Sequence, residues 1–192
     1  MADAILRGGC AALQLRDKLN DDRAFVRLGR ALQQLCERAA VPFIVNDRFW
    51  LAREIGARGV HIGQTDESLE TVRRELGSEV SLGLSTHSLA QAGEAEVRGA
   101  DLIGFGPVFG TTSKADADPV VGLEALAAVC AHVRIPVVAI GGVSLERAAL
   151  LTGAGASLAA AISALCKATD PQAAARELHA RLCAGPMRPA PD

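Results

Sequence analysis

A chain of 192 residues is long enough to bury a substantial core within one domain. Its 20 Lys and Arg against 22 Asp and Glu leave a net charge of -2, which gives no polyanion-binding footprint and excludes nucleic acid as a partner. Hydrophobic residues reach 49% while aromatics are only 3%, a balance suited to helices packed tightly on a parallel sheet and unlike an aromatic-rich β-sandwich.

In chain order, "MADAILRGG" (1–9) reads as the end of a first helix with no strand before it, and "AALQLR" (11–16) as the first readable strand. "DDRAFVRLGRALQQLCERAA" (21–40) is a helix opening on two acids that suit its N-terminus. Strands follow at "PFIVN" (42–46) and "GVHIG" (59–63), then a helix at "ESLETVRREL" (67–76). "VSLGLS" (80–85) is a strand, "SLAQAGEAEVRG" (88–99) a helix, and "DLIGFG" (101–106) a strand leading into a polar loop before a helical pattern resumes. "PVVAIG" (136–141), the helix "SLERAALLTG" (144–153), the strand "SLAAAI" (157–162) and the helix "PQAAARELHARL" (171–182) complete the pattern. Glycines in "EIGARG", "VRGAD" and "LTGAGA" supply the expected left-handed helix stops.

Strand and helix alternating in this way imply parallel strands joined by right-handed crossovers. No GxGxxG follows the first strand, which favours an α/β TIM (β/α) barrel of phosphate-binding type over an open dinucleotide-binding sheet. Seven strands are readable, so the expected barrel lacks the first N-terminal strand. One domain is expected over residues 1–184, with a proline-rich flexible tail at 185–192. Cys10, Cys36, Cys130, Cys166 and Cys183 form no CxxC pair; they read as small apolar core residues of a protein in the reducing cytoplasm. No apolar run is long enough to suggest a membrane span.

The chemistry of such a barrel belongs at the carboxyl ends of its strands. Gln14, Arg16 and Lys18 alternate on one face of the first strand end, Asn46 and Asp47 follow the second, and Gln64, Thr65 and Asp66 the third. Ser85, Thr86 and His87 end the fourth strand, and the loop "GFGPVFGTTSKADADPVVGLEAL" (104–126) brings Thr111, Thr112, Ser113 and Lys114. Gly141-Gly142 and Ser163 come last. Asp47 and Asp66, from neighbouring strands, suit one Mg²⁺, which takes few carboxylates and prefers waters and phosphates as its other ligands. Arg16, Lys18 and Lys114 suit the outer phosphate oxygens. Gly141-Gly142, running into a helix expected near Ser144, suits a second, metal-free monophosphate site. Two anion sites of different kind point to two phosphorylated substrates.

Taken singly, each feature has a plainer reading. The aspartates can be caps, Arg16 and Lys18 a solvated edge, the glycine pair a tight turn, and residues 111 to 114 a polar loop. His61, in an apolar strand, reads as a packed histidine; His87 reads either as a strand-end site residue or as a cap of the helix that follows it; His132 and His179 take no role. Their combination at successive strand ends carries the functional reading.

These motifs resemble the thiamine-phosphate synthase family over about residues 2 to 166. "LQLRDK" is similar to its Q-x-R-x-K strand end, "FIVNDR" to its N-D segment and "GVHIGQTD" to its H-[LI]-G-Q-x-D segment. "GPVFGTTSK" is similar to its G-P-[VI]-F-x-T-x-[ST]-K loop, "IPVVAIGGVS" to its phosphate loop, and "AISAL" to its closing strand end. The resemblance implies that hydroxymethylpyrimidine diphosphate is joined to hydroxyethylthiazole phosphate, giving thiamine monophosphate and diphosphate. Asp47 and Asp66 would bind Mg²⁺. Arg16, Lys18, Asn46 and Lys114 would hold the pyrimidine diphosphate, with Gln14 and Ser85 nearby. Thr111, Ser113, Gly141, Gly142, Ile162 and Ser163 would receive the thiazole phosphate. Lys114, Arg16 and Ser85 would be the catalytic set, and a homodimer the assembly. The unread first strand and Gly110, where the family commonly has proline, depart from the pattern. Alternatives are a metal-independent thiazole tautomerase, whose histidine position is here Pro107, and a non-catalytic barrel that binds a thiamine precursor.

Overall fold

Every strand pairs with its neighbours in sequence, in parallel, so the sheet order is β1-β2-β3-β4-β5-β6-β7. The strands are β1 (Leu13–Leu15), β2 (Phe43–Asn46), β3 (Gly59–Ile62), β4 (Ser81–Thr86), β5 (Leu102–Phe105), β6 (Val137–Ile140) and β7 (Leu158–Ala160). The computed structural model describes residues 1–111 and 118–184; Ser113, Lys114 and the tail 185–192 lie outside them. The sheet curls with its helices on one side, the TIM-barrel-like architecture expected from the alternation. Every run read as a strand is one.

Register sorts the strand residues into two faces. Leu15, Val45, Val60 and Leu82 pair in one row and Ile62, Leu84, Ile103 and Val137 in another, all of them buried. This is the face beneath the helices α2 (Asp22–Ala39), α3 (Ala52–Ile55), α4 (Leu69–Leu76), α5 (Leu89–Val97), α6 (Gly122–His132) and α7 (Ala148–Gly153). Gln14 pairs with Ile44, Asn46 with His61 and His61 in turn with Gly83, and Ser85 with Gly104 and Gly104 in turn with Val138, on the opposite, concave face. The concave face is polar towards the strand ends. At its β7 side it is open to solvent, with Leu158 40% and Ile162 50% exposed.

The helices start where the sequence places acceptors for orphan N–H groups. Asp21 accepts from the Ala24 amide (2.7 Å) and Ser68 from Thr71 (3.2 Å), while Ser88 accepts from Gln91 (3.2 Å). Asp170 does the same for Ala173 (3.0 Å) at α9 (Pro171–Cys183). Each such cap contributes about 1 kcal/mol. The first helix, α1 (Ala2–Gly8), is held by α9; a Cβ at Gly8 would lie 2.5 Å from the Gln172 carbonyl, so glycine permits that approach.

Three expectations need correction. The helix expected near Ser144 begins at Ala148, because Arg147 donates to the Gly142 carbonyl (2.8 Å) and its own amide to Ser144 (3.2 Å), folding 142–147 into a turn. Residues 49–55, for which the sequence showed no helical period, form a 3-10 turn, Phe49–Leu51, running into α3. Of the cysteines, none of them in a disulfide, Cys36 and Cys130 are core residues but Cys166 and Cys183 are exposed, on α8 (Ser163–Cys166), which buries no residue, and at the end of α9. Among the described residues no helix is long and apolar enough to cross a membrane.

Candidate active site

Asp47 leaves β2 with a left-handed backbone (φ 63) that a non-glycine residue adopts at a cost of roughly 1–2 kcal/mol. The ladder holds it there. Its amide donates to the His61 carbonyl (2.9 Å), and its own carbonyl accepts from Phe49 (2.8 Å). Asp66 closes the turn after β3, its Oδ2 accepting from the Gly63 amide at 2.7 Å. The capping role that the sequence allowed for Asp66 is therefore real, and it leaves the second carboxylate oxygen outside that bond.

The two carboxylates face one another. Burial pushes the Asp47 carboxyl above its ordinary range, the Asp66 charge beside it pushes it further, and Lys18, with Nζ 3.3 Å from Oδ2, draws it back. A like-charged pair with one ammonium on it is a place where added positive charge is favourable. No cluster of three or more metal-ligating side chains occurs among the described residues, so the protein offers two carboxylates. That donor set fits a hydrated Mg²⁺, which keeps waters and takes phosphate oxygens.

Beside this pair, Asn46 and Ser85 are buried on the concave face. Ser85 is fixed at both ends: its Oγ lies 2.9 Å from His61 Nε2, and its carbonyl accepts from Gln64 Nε2 at 2.7 Å. The imidazole lies across β4 and β5, in space that two glycines leave free. A Cβ at Gly83 would be 2.5 Å from His61 Nδ1, and one at Gly104 3.0 Å from Cε1. His61 is thus a packed, half-buried residue of the concave face, paired in register with Asn46. Gln14 is exposed on this face and Arg16 half-buried after β1. Arg48 is engaged elsewhere, with Asp22 (2.9 Å), the Asn20 carbonyl and the Phe25 ring.

A second centre lies after β5, β6 and β7. Gly110, Thr111, Gly142, Val143, Ser144, Arg147, Ser163 and Ala164 line a cavity of about 560 Å³. Gly141 and Gly142 take φ values of 86 and 66, and the loop after β5 zips against them, with Val108 donating to Ile140 (2.8 Å) and Phe109 to Gly141 (3.2 Å). Of the residues expected at the thiazole phosphate, Thr111, Gly142 and Ser163 meet here. Gly141 and Ile162 flank the cavity in sequence without lining it. The α7 dipole does not open on the cavity, since α7 begins only at Ala148; the helix that starts at the cavity wall is the short α8, at Ser163.

Sequence reasoning missed Arg147. Its guanidinium lies 4.5 Å from the Phe109 ring centroid, is anchored on the Gly142 carbonyl, and gives the cavity a fixed cation. Read as part of a helical first turn, it carried no signal of its own. His61 did carry one, because strand alternation puts it on the face of Asn46.

Fold and site together define a (β/α)-barrel enzyme with an acidic pair and an arginine-bearing cavity at the carboxyl ends of its strands. The sequence profile of the family described as "Thiamine monophosphate synthase" matches residues 1–165. The thiamine-phosphate synthase of Roseiflexus sp. (strain RS-1) is 48% identical over 94% of this chain and 76% of that relative. That of Moorella thermoacetica (strain ATCC 39073 / JCM 9320) is 46% identical over 91% of this chain and 83% of its own. The solved thiamine phosphate pyrophosphorylase from Pyrococcus furiosus superposes with a TM-score of 0.87 at 36% identity, covering 94% of this chain and 87% of that one. The chain belongs to the thiamine monophosphate synthase family, a family of transferases.

Proposed function

We propose that this chain transfers the hydroxymethylpyrimidine group from its diphosphate to hydroxyethylthiazole phosphate, releasing diphosphate and thiamine monophosphate. The observation that carries the reading is the separation of two unlike centres: facing acids with Lys18 at one, and a cavity with Arg147, Thr111, Gly142 and Ser163 at the other. A diphosphate needs more counter-charge than a monophosphate, and the two centres differ in that sense.

Asp47 and Asp66 would hold Mg²⁺, which supplies charge to a departing diphosphate. Lys18 and Arg16 take outer oxygens of that group, and Lys114, by its place in the loop sequence, adds a further cation. Asn46, and Ser85 with its hydroxyl fixed by His61, orient the pyrimidine. The Arg147 cavity holds the thiazole phosphate, so that the ring nitrogen meets the methylene carbon as the C–O bond to diphosphate breaks. No base is required, which suits a site without an activated nucleophile. The five cysteines, none of them in a disulfide and two of them exposed, support a reducing cytoplasm, and the family resemblance supports a homodimer.

The test is incubation with both precursors, with Mg²⁺ and again with EDTA. Thiamine monophosphate formed only with the metal is expected. Aromatisation of a thiazole tautomer regardless of chelator would replace this reading with that of a tautomerase.

A further inference from the structure

His87 is the strand-end residue that the reaction leaves unused. It does not cap α5; Ser88 does that, while the His87 amide donates to Gln91 Oε1 at 2.7 Å. The ring points instead to the loop between β5 and α6. Nδ1 lies 2.5 Å from the carbonyl oxygen of Gly106, where that loop begins, and Nε2 3.3 Å from Oδ2 of Asp118, near where it ends. A third tie spans the same base, with the Val121 amide donating to the Pro107 carbonyl (2.9 Å).

Both ring partners are acceptors. A carbonyl and a carboxylate bring no proton, and a neutral imidazole has one N–H, enough for one of them; the imidazolium has two and serves both. Among the described residues Asp118 is the one charged group within ion-pair reach of the ring, while Gln91 of α5 and the Gly106 carbonyl after β5 are neutral. We propose that His87, as the imidazolium, is a positioning residue that clamps Gly106 to Asp118 and so keeps Phe109, Gly110 and Thr111 at the phosphate cavity. This rests on reading that cavity as the thiazole-phosphate site.

The test is the KM for thiazole phosphate at one pH in the unaltered protein, His87→Gln, Asp118→Asn, the double variant and Asp118→Glu, with circular dichroism confirming that each folds. His87→Gln, Asp118→Asn and the double variant share a KM raised about 2- to 5-fold, the scale of one partly exposed ion pair, while kcat moves less, and Asp118→Glu restores it. Independent losses that multiply in the double variant, or an unchanged KM in either single variant, overturn the clamp. Amide exchange at Val121 is a readout free of the reaction. Protection there falls in both single variants at fixed pH, and unchanged protection would refute the clamp even if no thiamine monophosphate is ever made.

Discussion

The two centres of this site are built by different means. The acidic one rests on strand ends: Asp47 and Asp66 follow β2 and β3, and the ladder bond from Asp47 to His61 sets their relation. The Arg147 cavity rests on loops; its walls come from turns after β5 and β6 and from the start of α8, locked by Gly142, Arg147 and Phe109. A centre fixed by strand register loses function through single side chains and keeps its fold. A centre fixed by loop contacts loses affinity in steps.

The largest expected effect breaks the acidic side. Asp66→Ala removes a proposed metal ligand and should lower Mg²⁺-dependent turnover by roughly 1,000-fold with little change in melting temperature, since an ion stabilising charge in the transition state is worth several kcal/mol. Full turnover in that variant, assayed with both precursors, would reject the metal role. Next, Arg147→Ala should raise the KM for thiazole phosphate about 10- to 100-fold, the worth of a charged hydrogen bond, and leave that for pyrimidine diphosphate nearly unchanged. Equal losses for both substrates would erase the distinction between the centres. Lys114→Ala should do the reverse at about 10-fold, weakening the diphosphate more than the monophosphate in the same two titrations.

The smallest effect is on stability. In the metal-free protein the Asp47 carboxyl titrates above its ordinary value of 3.8, through burial first and the neighbouring Asp66 second. The stabilisation from its neutral form is complete below that ordinary value and is lost as pH rises through the raised one. Metal-free melting temperatures should therefore fall over that rise, and Asp47→Asn should flatten the curve. An identical curve in the variant would show that the pair is not strained by its charge.

The same contrast explains what the sequence could reveal. Runs such as "FIVN" and "GVHI" stand between helix stops, Gly56 and Gly99 among them, that the backbone does take as left-handed, so strands and order were legible. Since paired residues of parallel strands share a face, Asp47 and Asp66 following adjacent strands could be read as neighbours. The late onset of α7 could not, because one guanidinium-to-carbonyl bond across 142–147 overrides a helical period. The clamp role of His87 was hidden too, since Gly106 and Asp118 lie 19 and 31 positions further along the chain.

The left-handed turn at Asp47 makes glycine the easier occupant of that position. Asp47→Gly would relieve the backbone and remove a half-buried negative charge at once, giving, on the proposed metal role, a protein that is firmer and inert. Any campaign that selects variants of this enzyme for heat resistance alone would be drawn to that exchange, so activity has to be scored in every round.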